Sequence, residues 1–346
     1  MKTWTILPIA LFSPGILQAQ WEVQESGTKA RLRGVSVVSR EVAWACGNEG
    51  TVLRTLDGGR TWNLRPVPNG FHHDFRDIEA TDPNTAVLLA VGEGEMSRVY
   101  RTTNGGATWT LQHANRDPKG FGDTLAFWDA DRGLALGDPV DGRFSILTPD
   151  DGGRAWKPIP KAAMPPSLPG EAAFAASGTC LAVQRAGHAW FVTGGGGVAR
   201  VFRSDNWGRA WTVHETPARA ESATTGLFSI TFANQREGVA VGGDYQQPKR
   251  LGGVVVLTED GGRSWRLASG TQPGDFRSAV SFQPDSKPLT LITVDPAGSD
   301  RSRDRGESWQ TLGERGFHAL GFLQTDVGWA VGENGVISRF NGAGAW

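Results

Sequence analysis

Acidic side chains recur at one fixed place in a short phrase of this 346-residue chain. The phrase runs from Ser or Thr through Asp or Asn and Gly to Trp, as in Thr55–Trp62. A catalytic site needs one such acid and not six copies, whereas Asp readily accepts hydrogen bonds from its own turn and Gly takes the positive φ of a tight hairpin. We therefore predict structural roles for these acids and amides and for the closing tryptophans: Asp57, Asn104, Asp151, Asn206, Asp260, Asp304, Trp62, Trp109, Trp156, Trp211, Trp265 and Trp309.

A second set of charged residues recurs in the loops that the repeat would place on one face. The segments Phe75–Asp77, Phe276–Ser278 and Phe317–Ala319 repeat one form, with a base in the middle. Several arginines that converge on one mouth favour an anionic or carboxylate-bearing partner, although solvated strand ends would also carry such residues. The candidate binding residues are Arg33, Arg76, Asp77, Asp138, Asp141, Asp244, Tyr245, Arg277, His318 and Glu333. Charge reversal at Arg33, Arg76 and Arg277 together is expected to abolish partner binding and leave the fold intact.

No residue pattern in the chain indicates a metal or a cofactor. His72, His73 and Asp74 lie together, but no further ligand occurs at a recognisable spacing from this cluster. Cys46 and Cys180 belong to distant repeats, and we interpret both as buried free thiols. The glycine run 194–197 is not followed by the Lys-Ser/Thr of a phosphate loop. We predict no metal, no cofactor and no catalytic residue.

The elements that position these residues are short strands. The phrase returns about every 50 residues, which indicates a closed array of β units. Three strand-like runs precede each copy and one follows it, and the chain holds seven such repeats, the last with a degraded phrase ending at Trp346. Trp21–Gln24 reads like the run that follows each phrase. We predict an all-β, seven-bladed β-propeller whose N-terminal strand joins the last blade and closes the ring.

The N-terminal sequence and the net charge of the chain indicate its compartment and the kinds of partner it can have. Residues 1–19 have a positive start and a short apolar run, which predicts a signal peptide, followed by a single propeller domain over residues 20–346. The protein is then periplasmic or secreted, without a transmembrane span after cleavage. A formal net charge of −1 gives no indication of nucleic-acid binding. We expect a monomer.

The repeated phrase is identified as the Asp-box, or BNR repeat. Over nearly the whole mature chain the repeat resembles that of the photosystem II stability/assembly factor family, most clearly in Gly328–Gly335, Val336–Arg339 and Asp57–Trp62. This resemblance implies an exported, non-catalytic protein that binds assembly intermediates of membrane proteins. A protein partner, with membrane-complex subunits among the candidates, is therefore expected first.

Two other functions are weighed beside the scaffold. Asp-box propellers also occur among sialidases and xyloglucan-cleaving hydrolases, so a glycoside hydrolase that binds a glycan is the alternative. Segments such as Gly137–Arg143 and Glu171–Gly178 look like a bacterial branch whose members are often labelled oxidoreductases. No dinucleotide fingerprint or haem attachment motif supports that third hypothesis. The fold itself does not choose among the three.

Overall fold

The computed structural model describes residues 20–248, 252–274 and 276–342. The predicted signal peptide (residues 1–19) and the chain end at Trp346 lie outside the described residues, so the predicted domain boundaries stay predictions.

The described residues form 28 strands, arranged as seven sheets of four strands. The first strand, β1, covers Trp21–Gln24. Blade 1 comprises β2 (Leu32–Val37), β3 (Ala43–Gly47), β4 (Val52–Thr55) and β5 (Asn63–Leu64). Blade 2 comprises β6 (Asp74–Ala80), β7 (Ala86–Val91), β8 (Arg98–Thr102) and β9 (Thr110–Ala114). Blade 3 comprises β10 (Gly122–Phe127), β11 (Gly133–Val140), β12 (Arg143–Thr148) and β13 (Lys157–Pro158).

The remaining strands repeat this arrangement. Blade 4 comprises β14 (Leu181–Gln184), β15 (His188–Val192), β16 (Arg200–Ser204) and β17 (Thr212–Glu215). Blade 5 comprises β18 (Thr225–Phe232), β19 (Gly238–Asp244), β20 (Val255–Thr258) and β21 (Arg266–Leu267). Blade 6 comprises β22 (Ala279–Gln283), β23 (Thr290–Asp295), β24 (Gly298–Ser302) and β25 (Gln310–Gly313). Blade 7 holds β26 (Ala319–Gln324), β27 (Val327–Val331) and β28 (Ile337–Phe340). Among the described residues the helical elements are five single 3₁₀ turns, at Gly70–His72, Gly94–Met96, Lys161–Ala163, Arg185–Gly187 and Glu333–Gly335.

The seven blades form a closed ring. The innermost strands β2, β6, β10, β14, β18, β22 and β26 contact one another in that order, and β26 contacts β2 again. The second strands are buried along their whole length in several blades, as in Ala86–Val91, because neighbouring blades cover both faces. The predicted all-β seven-bladed propeller is confirmed. Cys46 and Cys180 are buried free thiols, as expected.

The N-terminal strand completes the last blade, as predicted. β1 pairs antiparallel with β28, with Trp21 opposite Phe340 and Gln24 opposite Ile337. The Trp21 ring packs against Phe317 and Phe340, and its Nε1 donates to Ser299 Oγ of blade 6. Because the first and last strands share one sheet, with β1 as its outermost strand, β hydrogen bonds close the ring.

Each Asp-box lies in the hairpin between the third and fourth strand of a blade. In blade 1, Asp57 Oδ1 accepts from the Thr61 backbone N–H at 2.9 Å, and Thr55 Oγ1 accepts from the Gly59 N–H at 2.8 Å. Gly58 and Gly59 have φ of 75° and 86°, which a residue with a Cβ rarely adopts. Asn104 and Asp304 receive the equivalent backbone N–H. The boxes are therefore turns that satisfy their own backbone groups, on the face opposite the loops described next.

Candidate functional site

A cavity of 610 Å³ opens on the face formed by the loops between second and third strands. Six blades and the segment that enters blade 4 contribute to it. The cavity is lined by five of the sequence-predicted binding residues: Arg33, Arg76, Asp138, Tyr245 and His318. This volume lies within the range of about 300–1,000 Å³ that is typical of ligand pockets.

The chain segment before blade 4, residues 172–179, bridges the ring beneath this cavity, and we call it the axial segment. The Ala173 N–H donates to Asp138 Oδ1 of blade 3 at 2.9 Å, and Arg76 of blade 2 donates to the Ala175 carbonyl at 2.8 Å. Ser177 Oγ donates to the Ser278 carbonyl at the entry to blade 6. Because the axial segment contacts blades on opposite sides of the ring, it fixes the inner wall of the cavity.

Arg33 is the cation of the cavity that lacks an acidic partner. Within the described residues it makes no ion pair, and its Nε has no hydrogen-bond partner. Burial, followed by the neighbouring guanidinium groups of Arg76 and Arg31, lowers the pKa of Arg33 to about 10, against the opposing effect of Asp74 and Glu333. Arg76 and Arg31 share Asp74, at 2.8 Å and 4.0 Å. Asp74 and Glu333 therefore lie in the neighbourhood of Arg33, but neither forms an ion pair with it, so its guanidinium group remains available to an anionic ligand.

Two acids lie on the blade 3 side of the cavity. Asp138 accepts the Ala173 N–H, whereas Asp123 Oδ2 is buried without a hydrogen-bond partner. Burial raises the pKa of Asp138 to about 6. Burial and the nearby Asp138 raise the pKa of Asp123 well above its usual value. Asp123 was not among the predicted binding residues. The sequence signal that could have indicated it is its place at the start of β10, the first strand of blade 3, where other blades carry charged residues.

His318 and Glu333 form a pair at the blade 7 edge of the cavity. His318 Nε2 lies 2.7 Å from Glu333 Oε1. Burial and the positive charge of Arg33 lower the pKa of His318 to about 4, against the opposing effect of Glu333. His318 is therefore neutral at pH 7, and Arg33 and Arg76 supply the positive charge of the cavity.

Four predicted binding residues have other surroundings. Arg277 is only 6% exposed and forms ion pairs with Asp295 at 2.7 Å and with Asp300. Reversal of its charge would place three buried acids together, so the expectation that a triple reversal leaves the fold intact is wrong. Asp77 is also buried, and its Oδ2 accepts from Thr124 Oγ1 and the Leu125 N–H.

The other two are local turn and surface residues. Asp244 Oδ1 accepts from Thr224 Oγ1 at 2.8 Å and from the Gln246 N–H. Asp141 lies in the exposed β11–β12 turn and pairs with Lys161 at 2.9 Å. Asp138 and Asp141 are close in sequence but have different surroundings, since Asp138 lines the cavity and Asp141 faces Lys161.

The members of the cluster His72, His73 and Asp74, a possible metal site in the sequence, also have separate partners. His73 Nε2 lies 3.0 Å from the Tyr100 hydroxyl, and Asp74 is engaged by Arg76. Across residues 20–248, 252–274 and 276–342, no group of three or more His, Cys, Asp or Glu side chains is placed to hold a metal ion. The same residues include no helix with the length and apolar character to cross a membrane.

Comparison with known proteins agrees with the repeat. The family described as "Photosynthesis system II assembly factor YCF48" matches residues 14–120. The photosystem II assembly protein Ycf48 of Synechococcus sp. (strain JA-3-3Ab) is 27% identical over 337 residues, covering 82% of this chain and 92% of that protein. This chain is a BNR-repeat propeller that resembles the photosystem II assembly factors. The predicted resemblance is confirmed.

Solved structures share the fold with different chemistries. "YCF48 bound to D1 peptide" aligns with a TM-score of 0.64 at 18% identity, covering 94% of this chain and 97% of that chain. The GH74 xyloglucanase from Xanthomonas campestris aligns with a TM-score of 0.60 at 18% identity, covering 94% of this chain and 54% of that chain. At this identity the likeness concerns the fold, and the site has to indicate the function.

Proposed function

We propose that this protein is an exported, non-catalytic scaffold that binds a protein partner through the cavity face. The observation that carries the proposal is Arg33, a mostly buried guanidinium without an acidic partner in the described structure. A buried charge without a partner costs free energy, and a carboxylate is the group that matches a guanidinium in geometry and charge. An anionic segment of a partner would supply that missing charge.

The resemblance supports the choice of a protein as the partner. The relatives are photosystem II assembly proteins, and one aligned structure holds a D1 peptide. For this chain we infer a partner segment that carries a carboxylate and belongs to a membrane complex under assembly. The signal-like residues 1–19 support export to the periplasm or beyond.

A pull-down with a single neutralised arginine tests the proposal. Tagged Arg33→Gln is compared with wild type and with Arg209→Gln, an exposed arginine in the Asp-box of blade 4, on the opposite face. After in-cell cross-linking and mass spectrometry, wild type and Arg209→Gln should recover the same membrane subunits, and Arg33→Gln should lose them. Equal recovery by all three folded proteins would contradict binding at the cavity.

A glycoside hydrolase remains the second candidate, on one observation. Asp123 and Asp138 are two carboxyl groups in one cavity, and burial raises the pKa of each. Hydrolysis requires two such acids in different protonation states. Release of reducing sugar from xyloglucan or other glycans by the wild type, and its loss in Asp138→Asn, would favour this function over the scaffold.

A further inference from the structure

The cavity has an aromatic wall on the side away from Arg33 and Arg76. It consists of Phe174, Phe228, Phe276 and Tyr245, and we keep the name aromatic wall for these four residues. Phe174 stacks on Phe228 with 3.9 Å between ring centroids and 12° between the planes. Phe276 and Tyr245 meet Phe228 edge to face, at 4.8 Å and 6.1 Å. The four rings thus form one ordered contact around Phe228.

The aromatic wall is assembled from separate parts of the chain. Phe174 belongs to the axial segment, Phe228 to β18 of blade 5, Tyr245 to the loop after β19, and Phe276 to the approach to blade 6. Phe228 and Phe276 form a small cluster with Ala176, separate from the larger cores between the blades. Their position beside a 610 Å³ cavity leaves apolar surface for a ligand, and Tyr245 is 49% exposed.

The opposite wall offers the guanidinium group of Arg33. Arg33 is partly exposed and forms no ion pair within the described residues. A buried acceptor or donor without a partner costs free energy, and a ligand that supplies the missing group recovers that cost on binding. Arg33 suits a carboxylate.

We propose that the aromatic wall is a subsite for one apolar side chain, preferably aromatic, of the residue that presents its carboxylate to Arg33. The inference rests on the proposed function, because it takes Arg33 as the place of the anionic group. A carboxylate and an apolar side chain occur together at the C-terminal residue of a peptide and in a free N-acylated amino acid. Ring-to-ring contacts favour Phe over an aliphatic residue, and a glycine leaves the aromatic wall uncovered.

Isothermal titration of the intact mature protein with synthetic peptides tests the subsite. The probes are Ac-Gly-Ser-Gly-Ser-X peptides with X as Phe, Leu, Ala or Gly and a free carboxylate, together with N-acetyl-phenylalanine. The expected order is Phe, Leu, Ala, Gly, with Phe at least about tenfold tighter than Gly, as hydrophobic pockets discriminate by about 10–200-fold. If N-acetyl-phenylalanine binds as tightly as the Phe peptide, the site recognises a single residue. If N-acetyl-phenylalanine binds more weakly than the peptide, the site recognises the C-terminal end of a peptide.

Two variants separate the aromatic wall from general surface effects. Tyr245→Ala should reduce the preference for Phe over Gly several-fold, whereas Phe71→Ala, an aromatic residue 66% exposed outside the cavity lining, should keep it. Equal affinities for all four peptides, or an unchanged preference in Tyr245→Ala, would overturn the inference. In that case a partner recovered by wild type and lost in Arg33→Gln still supports the scaffold. If the pull-down also shows no dependence on Arg33, the scaffold proposal is rejected together with the subsite.

Discussion

Arg33 and Arg277 are the same residue type at corresponding places in blades 1 and 6, with opposite surroundings. Arg33 lacks an acidic partner in the described residues, whereas Arg277 sits between Asp295 and Asp300. Removal of one member of a buried ion pair leaves an uncompensated charge, which costs about 3–5 kcal/mol. Removal of a buried charge that has no partner relieves a cost instead.

The same substitution at the two positions should therefore act in opposite directions. Arg277→Met should lower the free energy of unfolding by about 3–5 kcal/mol. Arg33→Met should leave it unchanged or raise it by about 1 kcal/mol, with loss of partner binding. Urea denaturation of both variants measures the difference. A strong destabilisation by Arg33→Met would mean that Arg33 supports the fold and was not retained for a ligand.

Asp138 gives a pH prediction with a definite sign. Burial raises its folded pKa to about 6, above an unfolded value of about 3.9. Between these values the unfolded chain releases the proton first, so this group lowers the stability as pH rises from about 4 through 6. Asp138→Asn removes this ionisation and can still accept the Ala173 N–H.

The variant should gain stability relative to wild type at pH 8 and show little gain at pH 4. Thermal unfolding at a series of pH values measures this. A gain that is equal at both ends of the range would show that Asp138 does not titrate between them.

At the scale of the element, the Asp-box is a turn whose carboxylate accepts hydrogen bonds from groups of the same turn. The backbone N–H of Thr61, followed by its hydroxyl, lowers the pKa of Asp57 to about 2. The stability that comes from this acid is present above the unfolded pKa of about 4 and is lost as pH falls toward 2. Asn104 holds the corresponding N–H at 3.0 Å without an ionisable group.

Asp57→Asn should accordingly flatten the loss of stability between pH 4 and 2, while Asp57→Ala lowers the Tm at pH 7 because the turn loses its acceptor. Circular dichroism melts of the two variants over this range provide the measurement. The account of the box fails if Asp57→Ala melts at the wild-type temperature at pH 7.

The elements were largely predictable because each repeats a local signal. Glycine, a short acid or amide and Trp specify the turn wherever they recur, and six copies make the signal clear even where one copy deviates. The axial segment was not predicted. Its run of small residues, Ala172–Gly178, carries no strand or helix period, and only tertiary contacts show why Gly178 must be small beside Asp77.

At the scale of the whole molecule, ring closure depends on the pairing of β1 with β28. Trp21 packs among aromatic rings of blade 7 and bonds to blade 6, so its loss affects two blades. Trp21→Ala should lower the free energy of unfolding by about 3–5 kcal/mol, as for other large buried aromatics. Val23→Ala in the same strand is a control, since Val23 is half-exposed. Equal unfolding energies for the two variants would show that Trp21 does not secure the closure.

The candidate site was predictable only in part. Which charged residues neutralise one another, and how far apart they lie, depends on the folded ring and not on the local sequence. The repeated position at the start of each first strand predicted that Arg33, Arg76 and His318 share one face, and the three residues line one cavity. The sequence could not show that Arg277 is neutralised by Asp295 and Asp300, since those acids lie in two other strands, β23 and β24. The aromatic wall likewise draws its rings from four separate segments.

Site-specific photo-cross-linking in the cell tests the central claim, that the cavity face binds a protein partner. A benzoyl-phenylalanine is placed at Ala297, an exposed residue that lines the cavity, or at Arg209 on the Asp-box face. We expect a discrete cross-linked membrane subunit from position 297 and none from position 209. Equal products from both positions, or none from position 297, would contradict the account.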